Sequence, residues 1–547
     1  GGIVSVFMND QDAMVRQEAV KALALIKKQE AVPAILSYTL SYPVAPDTHT
    51  ARACLKQTVG ADQIPLLTEA LDQAPDGARV VLIEVIAAKG DPRTFDILYA
   101  QIDQSEAARS ASIKNLYQVA DQGDLGDLIR LFDQLEDKDE LADIETALVA
   151  SIRRGAHQEV STQALLLHAA RTYSMEKYIG VLAKVGGKEA LEAVYETYST
   201  GDEKTREKAF NGLIRSDDVY ATGPLIEICA KNLNPKEKEA AFRSYVRIVA
   251  SSTLPDDQKL LLIRKIEPLA SSPRESEQLL RAMGSIKTFL SFITLSAYLQ
   301  DEELKTMAAN AIVRVVLPSN GLDNGLKGNL VKEQLSIARD IVSGPDSEYL
   351  MIDIQNYMDK MPDEPGFVSM FNGTDLSGWQ GLAADPVKKA ELSEKELREL
   401  QEEADEKLKE NWSVKDGNIV FNGAGSNLCS VKEYGSFEMI VDWRITKKGD
   451  SGIYLRGSPQ VQIWDTSRVD AGAQVGSGGL YNNQVHESIP LVVADNPVGD
   501  WNTFHIIRLD ERVTVYLNGK LVVDNVVMEN YWDRNIPIFP TGSIELQ

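Results

Sequence analysis

Cysteine and histidine are scarce in this chain, with 3 and 5 copies among 547 residues. Cys54, Cys229 and Cys429 lie far apart in apolar surroundings without metal-ligand spacing, which argues against a zinc framework or disulfide scaffold and predicts three buried thiols. Positive charge is also short, since 57 Lys and Arg against 81 Asp and Glu leave a net charge of −24. Nucleic-acid partners select for clustered basic residues, so no nucleic-acid partner is expected. No apolar run approaches the roughly 18 residues of a membrane-spanning helix, so no transmembrane segment is expected. Tryptophan is missing from the first 365 residues, and all six (Trp379, Trp412, Trp443, Trp464, Trp501 and Trp532) follow. What remains is ordinary globular composition, 44% hydrophobic and 25% charged, in a chain too long for a single core.

Up to about Asp359 the pattern is helical. In the stretch from Asp12 to Ile26, apolar positions 15, 19, 22, 23 and 26 fall on one stripe. Similar stripes recur, punctuated at Gly90-Asp91-Pro92, Gly123-Asp124, Gly155-Ala156, Gly187-Lys188, Ser216-Asp217 and Gly284-Ser285. A spacing of roughly thirty residues, or a multiple of it, marks a helix-pair solenoid, because no single pair buries its own apolar face. Asp12, Val15, Arg16, Ala19, Ala22 and Leu23 resemble a HEAT repeat, and Gly90-Asp91-Pro92-Arg93-Thr94 resembles a turn between such repeats. Arrays of that kind present a curved surface to partners, so a protein partner on the solenoid is expected. His49, His157 and His168 are isolated, and His168 reads as a hydrogen-bonded helix residue.

The helical period stops at Met361-Pro362-Asp363-Glu364-Pro365-Gly366, where two prolines mark a linker. The expected organisation is a solenoid over 1–360, a linker over 361–366 and a β-sandwich over 367–547. Phe437–Ile445, Val513–Leu517 and Leu521–Asp524 read as strands, with Asn518-Gly519 as a hairpin turn. A charged helical insertion over about 388–410 opens with a capping box at Ser393 and Glu396 and is expected to be solvated, without chemistry.

The run from Gly449 to Asp465 carries the most chemistry. Ile453, Leu455, Val461 and Ile463 alternate with Tyr454, Arg456, Gln460, Gln462 and Trp464, and Gly457-Ser458-Pro459 supplies the turn. Amide, guanidinium, carboxylate and aromatic groups side by side suit a sugar: donors and acceptors for adjacent hydroxyls and a ring for stacking. On Phe437–Arg444, positions 438, 442 and 444 share one side. With the hairpin and Asp465 they would form a polar concave patch, or else an ion-pair network in which Arg444 and Arg456 neutralise the acids. Glu438, Asp442 and Asp465 are the candidates for base or acid. His486 falls in a loop at the sandwich mouth, following Tyr481, and is a candidate acid or metal ligand, whereas His505 reads as structural. Asp450, Asp465 and Asp470 are the candidates for a divalent metal such as Ca²⁺, without EF-hand spacing.

Several ordered motifs carry a resemblance: Phe371-Asn372-Gly373, Gly378-Trp379, Trp412-x-Val414-x-Asp416-Gly417, Asp442-Trp443-Arg444, Asp450 to Arg456, Gly499-Asp500-Trp501-Asn502, Leu517-Asn518-Gly519 and Gly542 to Gln547. In this order they resemble the 3-keto-disaccharide hydrolase family across 366–547. The resemblance implies a jelly-roll sandwich of the concanavalin-like lectin and glucanase type, a periplasmic or secreted location and a carbohydrate substrate. An upstream signal peptide is expected before Gly1-Gly2-Ile3. The implied chemistry is cleavage of glycosides with a C3 ketone, in which a base removes the acidified C2 proton, the C1 substituent leaves and water adds back. Such a route needs a base, an acid and a positive or hydrogen-bonding group at the enolate oxygen, for which Arg456 or a metal is the candidate. The expected binding residues are Arg444, Tyr454, Arg456, Gln460, Gln462, Trp464 and Tyr481. The resemblance implies a glutamate, as in many members, where this chain has Gln460, and members usually continue past the Leu-Gln motif with His-Gly and a final strand. A noncatalytic sugar-binding module on a scaffold is the alternative.

Overall fold

The computed structural model describes residues 6–231, 234–319, 322–342 and 347–547. Two compact units divide the chain, Gly1–Ile228 and Cys229–Gln547. The first is helical among its described residues, and its bonds repeat with the period expected from sequence. Arg16 pairs with Asp47 and Arg109 with Glu140, each 31 residues apart, while the Ser151 hydroxyl donates to the Asp121 carbonyl 30 residues away. Each repeat therefore fastens the next, as stacking of helix pairs requires. His168 accepts or donates a 2.7 Å bond with Asp133, in keeping with a structural histidine. Cys54, Cys229 and Cys429 are all free and buried.

The second unit continues the helices to Lys360. The same period persists, since the Lys287 amide donates to Asp256 31 residues away. Among the described residues no helix is long and apolar enough to cross a membrane. Gly328 and Gly366 then meet in an isolated antiparallel bridge, and a Cβ on either would come within 2.8 Å of the other's Cα. Only glycines allow that backbone approach.

Eleven strands follow: β1 Trp379–Gly381, β2 Trp412–Lys415, β3 Asn418–Phe421, β4 Leu428–Tyr434, β5 Phe437–Trp443, β6 Asp450–Tyr454, β7 Gln460–Trp464, β8 Asn502–Leu509, β9 Arg512–Leu517, β10 Lys520–Val527 and β11 Gly542–Leu546. They form a five-stranded sheet, β1-β4-β11-β6-β7, a four-stranded sheet, β10-β9-β8-β5, and the hairpin β2-β3, all antiparallel. The chain changes sheets between β4, β5 and β6, the crossing pattern of a jelly-roll sandwich. Ile453, Leu455, Val461, Ile463 and Ile544 from one sheet meet Trp443, Phe504, Ile506, Val515 and Leu517 from the other in one core. Asn518 and Gly519 both adopt positive φ, 52° and 78°, which is the two-residue hairpin geometry predicted.

The four-stranded sheet has its outer face against the helix α1, Asp256–Ile266. Arg264 pairs with Asp442, Lys265 with Asp500 at 2.9 Å, and Gln258 and Asn496 exchange two amide hydrogen bonds. Two further helices, α2 Pro386–Glu391 and α3 Glu394–Asn411, form the insertion. The capping box is present, with Ser393 accepting from the Glu396 amide. However, α3 is not simply solvated: Gln401 donates to the Gly381 carbonyl at 2.8 Å, and Asp405 accepts from the Gly381 amide at 2.9 Å. One helix edge thus satisfies the outer strand β1, whose backbone groups would otherwise be open.

Candidate functional site

Strand pairing carries the hairpin's polar residues and one more onto the outer face of the five-stranded sheet. Glu545 pairs with Cys429 on one side and Tyr454 on the other, and Tyr454 pairs with Gln460. Directly paired residues share a face, so Cys429, Glu545, Tyr454 and Gln460 form one row. Gln462 and Trp464 follow Gln460 at the strand period, opposite Gly452 and Asp450. Gly452 is needed there because a Cβ would stand 2.4 Å from Gln460 Oε1.

Hydrogen bonds run along this face in one direction. Gln460 Nε2 donates to Gln462 Oε1 at 2.7 Å, and Gln462 Nε2 donates to Asp450 Oδ1 at 2.8 Å. A carboxylate can only accept, which fixes both amide orientations. A glutamate at 460 would set one acceptor against another, so Gln460 is the residue this chain of bonds requires. Gln460 Oε1 is left as a buried acceptor without a protein partner.

Sequence reasoning missed Glu545 as a site residue. The insertion covers it: Pro386, Lys389, Leu397 and Gln401, together with Leu382, lie over Cys429, Glu433, Gly457, Ser543 and Glu545 and line a half-open cavity of about 290 Å³. That volume is at the small end for ligand sites and suits one sugar ring. Glu545 is only 2% exposed, and burial pushes its carboxyl up to about 7, against the opposing influence of Asn427, which donates to Oε2 at 3.4 Å, and of Lys389. Burial likewise pushes the Tyr454 hydroxyl up to about 12, with Glu545 adding to the effect. Lys389 also pairs with Glu433 at 3.0 Å. The signal available in sequence was the lone acid between Ile544 and Leu546, on a strand whose neighbours are apolar.

The other candidates separate. Glu438 and Asp442 lie on β5, in the opposite sheet, and they do not face the Gly449–Asp465 hairpin as the strand period alone suggested. Glu438 meets His505 at 2.6 Å, and His505 stacks on Tyr516. Asp442 accepts from Thr503 and pairs with Arg264 of α1. Exposed Arg444 lies over the Trp501 ring at 4.9 Å. Arg456, at φ 58°, turns away from the row to donate to the Pro540 and Asp510 carbonyls, and burial holds its guanidinium down to about 10.

Asp465 is fully buried, with Oδ2 accepting from the Lys448 amide at 2.7 Å and Oδ1 from the Ser467 amide at 2.9 Å. The Ser467 hydroxyl and these amides hold its carboxyl below the usual range. It is a turn fastener, so Asp465→Ala should cost about 2 kcal/mol of stability by orphaning two amides, a loss measurable in a denaturant melt. His486 is exposed, and its amide donates to Glu529. Tyr481 meets the Trp464 ring edge-on at 5.5 Å. Asp470 sits exposed in a short turn, and among the described residues no three His, Cys, Asp or Glu stand close enough to hold a metal.

Residues 366–547 match the 3-keto-alpha-glucoside-1,2-lyase-like domain. A curated 3-keto-disaccharide hydrolase of Bacteroides thetaiotaomicron is 20% identical over 200 residues, so the match spans 31% of this chain and 62% of that relative's length. A crystal structure of a proposed glycosyl hydrolase from Parabacteroides distasonis ATCC 8503 shares 23% identity over 33% of this chain and 86% of its own, with a TM-score of 0.23. Human deoxyhypusine hydroxylase shares 16% identity over 57% of this chain and 95% of its own, with a TM-score of 0.21. The likeness to the 3-keto-alpha-glucoside-1,2-lyase-like domain is thus confined to residues 366–547, and the chain spans under two thirds of the curated relative's length.

Proposed function

We propose that the sandwich holds one ring of a 3-keto-glycoside in the Glu545 cavity and cleaves it by elimination and hydration. The observation that carries this reading is a single buried carboxyl, raised to about 7, at the wall of a ring-sized cavity. An ordinary glycosidase needs two carboxyl groups flanking the bond to manage an oxocarbenium ion. A C3 ketone removes that need, because it makes the C2 proton acidic enough for one base. The Glu545 carboxylate takes the C2 proton, and the released electron pair forms the C2–C3 enolate. Lys389, which lines the same cavity, supplies positive charge for the enolate oxygen. Collapse re-forms the C3 carbonyl, makes the C1–C2 double bond and breaks the bond from C1 to the leaving oxygen. The leaving oxygen takes the proton from Glu545, and water then adds across the C1–C2 double bond, its hydroxyl to C1 and its proton to C2.

In this reading the base is Glu545, and position 460 carries an amide. The Gln460–Gln462–Asp450 bonds form without a carboxylate at 460, and both glutamines are buried away from the cavity lining. Incubation with a 3-keto-glucoside or 3-keto-trehalose is expected to release sugar at a rate that rises with pH through about 7, while the unoxidised parent stays intact. Sugar binding without any release from the keto substrate would establish the noncatalytic module instead.

A further inference from the structure

Next to Gly457 of the cavity wall, Tyr531 and Trp532 face water although the Tyr531 amide and the Trp532 indole N–H are tied inward, and Tyr481 is exposed on a neighbouring loop. Tyr481, Tyr531 and Trp532 are 54%, 41% and 39% exposed. Trp532 Nε1 donates to the Gly457 carbonyl at 2.6 Å, and the Tyr531 amide donates to Ser458 Oγ at 2.8 Å. The Tyr531 and Trp532 rings meet edge-to-face, 4.9 Å apart. Gly457 joins this rim to the site: it lines the cavity, and a Cβ there would stand 2.9 Å from Glu545 Oε1.

The two loops that carry the rings are locked to each other. Glu529 accepts from the amides of Gln484, Val485 and His486 and pairs with Arg534. Arg534 also donates to the Asn482 carbonyl at 2.6 Å, and Asn482 in turn accepts from the Gln460 amide at 3.3 Å. Rings fixed in place lose little freedom on binding, which is what a stacking surface requires. Tyr481 touches Trp464, which shares a strand with Gln460, and the Tyr531–Trp532 pair is fastened to the Gly457-Ser458 turn that precedes that strand.

We propose that Tyr481, Tyr531 and Trp532 form a stacking platform for a ring-bearing leaving group, either a second sugar ring or an aromatic aglycone. The placement of the other ring in the Glu545 cavity rests on the function proposed above, but binding to the platform is measurable without turnover. The intact chain is titrated calorimetrically with three unoxidised probes: methyl glucoside, a glucose disaccharide and phenyl glucoside. At least one ring-bearing probe should bind about tenfold tighter than methyl glucoside, and the tighter of the two identifies the ring. Tyr481→Ala and Trp532→Ala should each weaken that probe about tenfold and leave methyl glucoside within twofold. Trp532→Phe, which keeps a ring but loses the bond to Gly457, should recover most of the affinity, separating stacking from a loosened turn. Equal or absent affinity for all three probes, or variants that weaken methyl glucoside as much as the others, would overturn the platform. Platform-dependent binding without cleavage of keto-sugars removes only the catalytic reading, whereas cleavage that ignores all three variants removes only the platform.

Discussion

Glu545→Gln should cut turnover of a 3-keto-glucoside by about a thousandfold and, at pH 8, make the protein more stable. The first effect follows from removing the base, since a positioned proton acceptor contributes roughly 10²–10⁴ in rate. The second follows from burial. The carboxyl titrates at about 7 in the folded chain against its ordinary 4.5, so between those values the folded state binds more protons than the unfolded one. Stability therefore falls as pH rises through that window, and the contribution present below about 4.5 is lost above about 7. At about 1.4 kcal/mol per pH unit, the ionised side chain costs roughly 3 kcal/mol at pH 8. A neutral amide of the same shape avoids that cost and still accepts from Asn427. Melting curves at pH 8 and pH 4.5 check this: the variant should gain several degrees at the higher pH and almost nothing at the lower. A variant that loses activity together with stability at pH 8 would make Glu545 a structural residue. Stability withheld at a site is the expected signature of a group kept there for chemistry.

Much of the fold is legible in the sequence because its signals are local. The thirty-residue punctuation, the Asn518-Gly519 turn, the Ser393 capping box and the alternation of Ile453 with Tyr454 each depend on a few neighbouring residues, and the structure shows all of them. The site depends on which strand lies beside which. Period two puts Glu438 and Asp442 on one face of β5, but it does not say that β5 belongs to the sheet opposite β6 and β7. Glu545 becomes visible only when β11 is inserted between β4 and β6, 91 residues from its partner Tyr454. The insertion misleads for a related reason. Its charges face water on most sides, and Pro386, Leu397 and Gln401 acquire meaning only when the helices lie over a sheet edge.

Asp442, read from sequence as a base or acid, is expected to hold the sandwich against α1 instead. Its carboxylate is mostly buried between Arg264 and Thr503, with 17% of the side chain exposed. Asp442→Ala leaves Arg264 partly buried without its partner, which should cost about 2–3 kcal/mol, somewhat less than a fully buried pair. Gly519→Val attacks the same contact sterically. A Cβ at position 519 would stand 2.3 Å from Pro255 Cβ, just before α1, and the backbone φ of 78° already disfavours a branched side chain. The combined strain should exceed 3 kcal/mol and release the sandwich from the helix. Both variants should open the 361–366 segment to limited proteolysis and split one calorimetric transition into two. Arg264→Ala combined with Asp442→Ala should then cost less than the sum of the single changes, by roughly 1–2 kcal/mol, because the two groups are in contact. Turnover per folded molecule should change by less than about threefold in Asp442→Ala, since Glu545 lies on the other sheet. A hundredfold loss of turnover in a variant that melts like the parent would return Asp442 to the catalytic set and remove α1 as the reason for its burial.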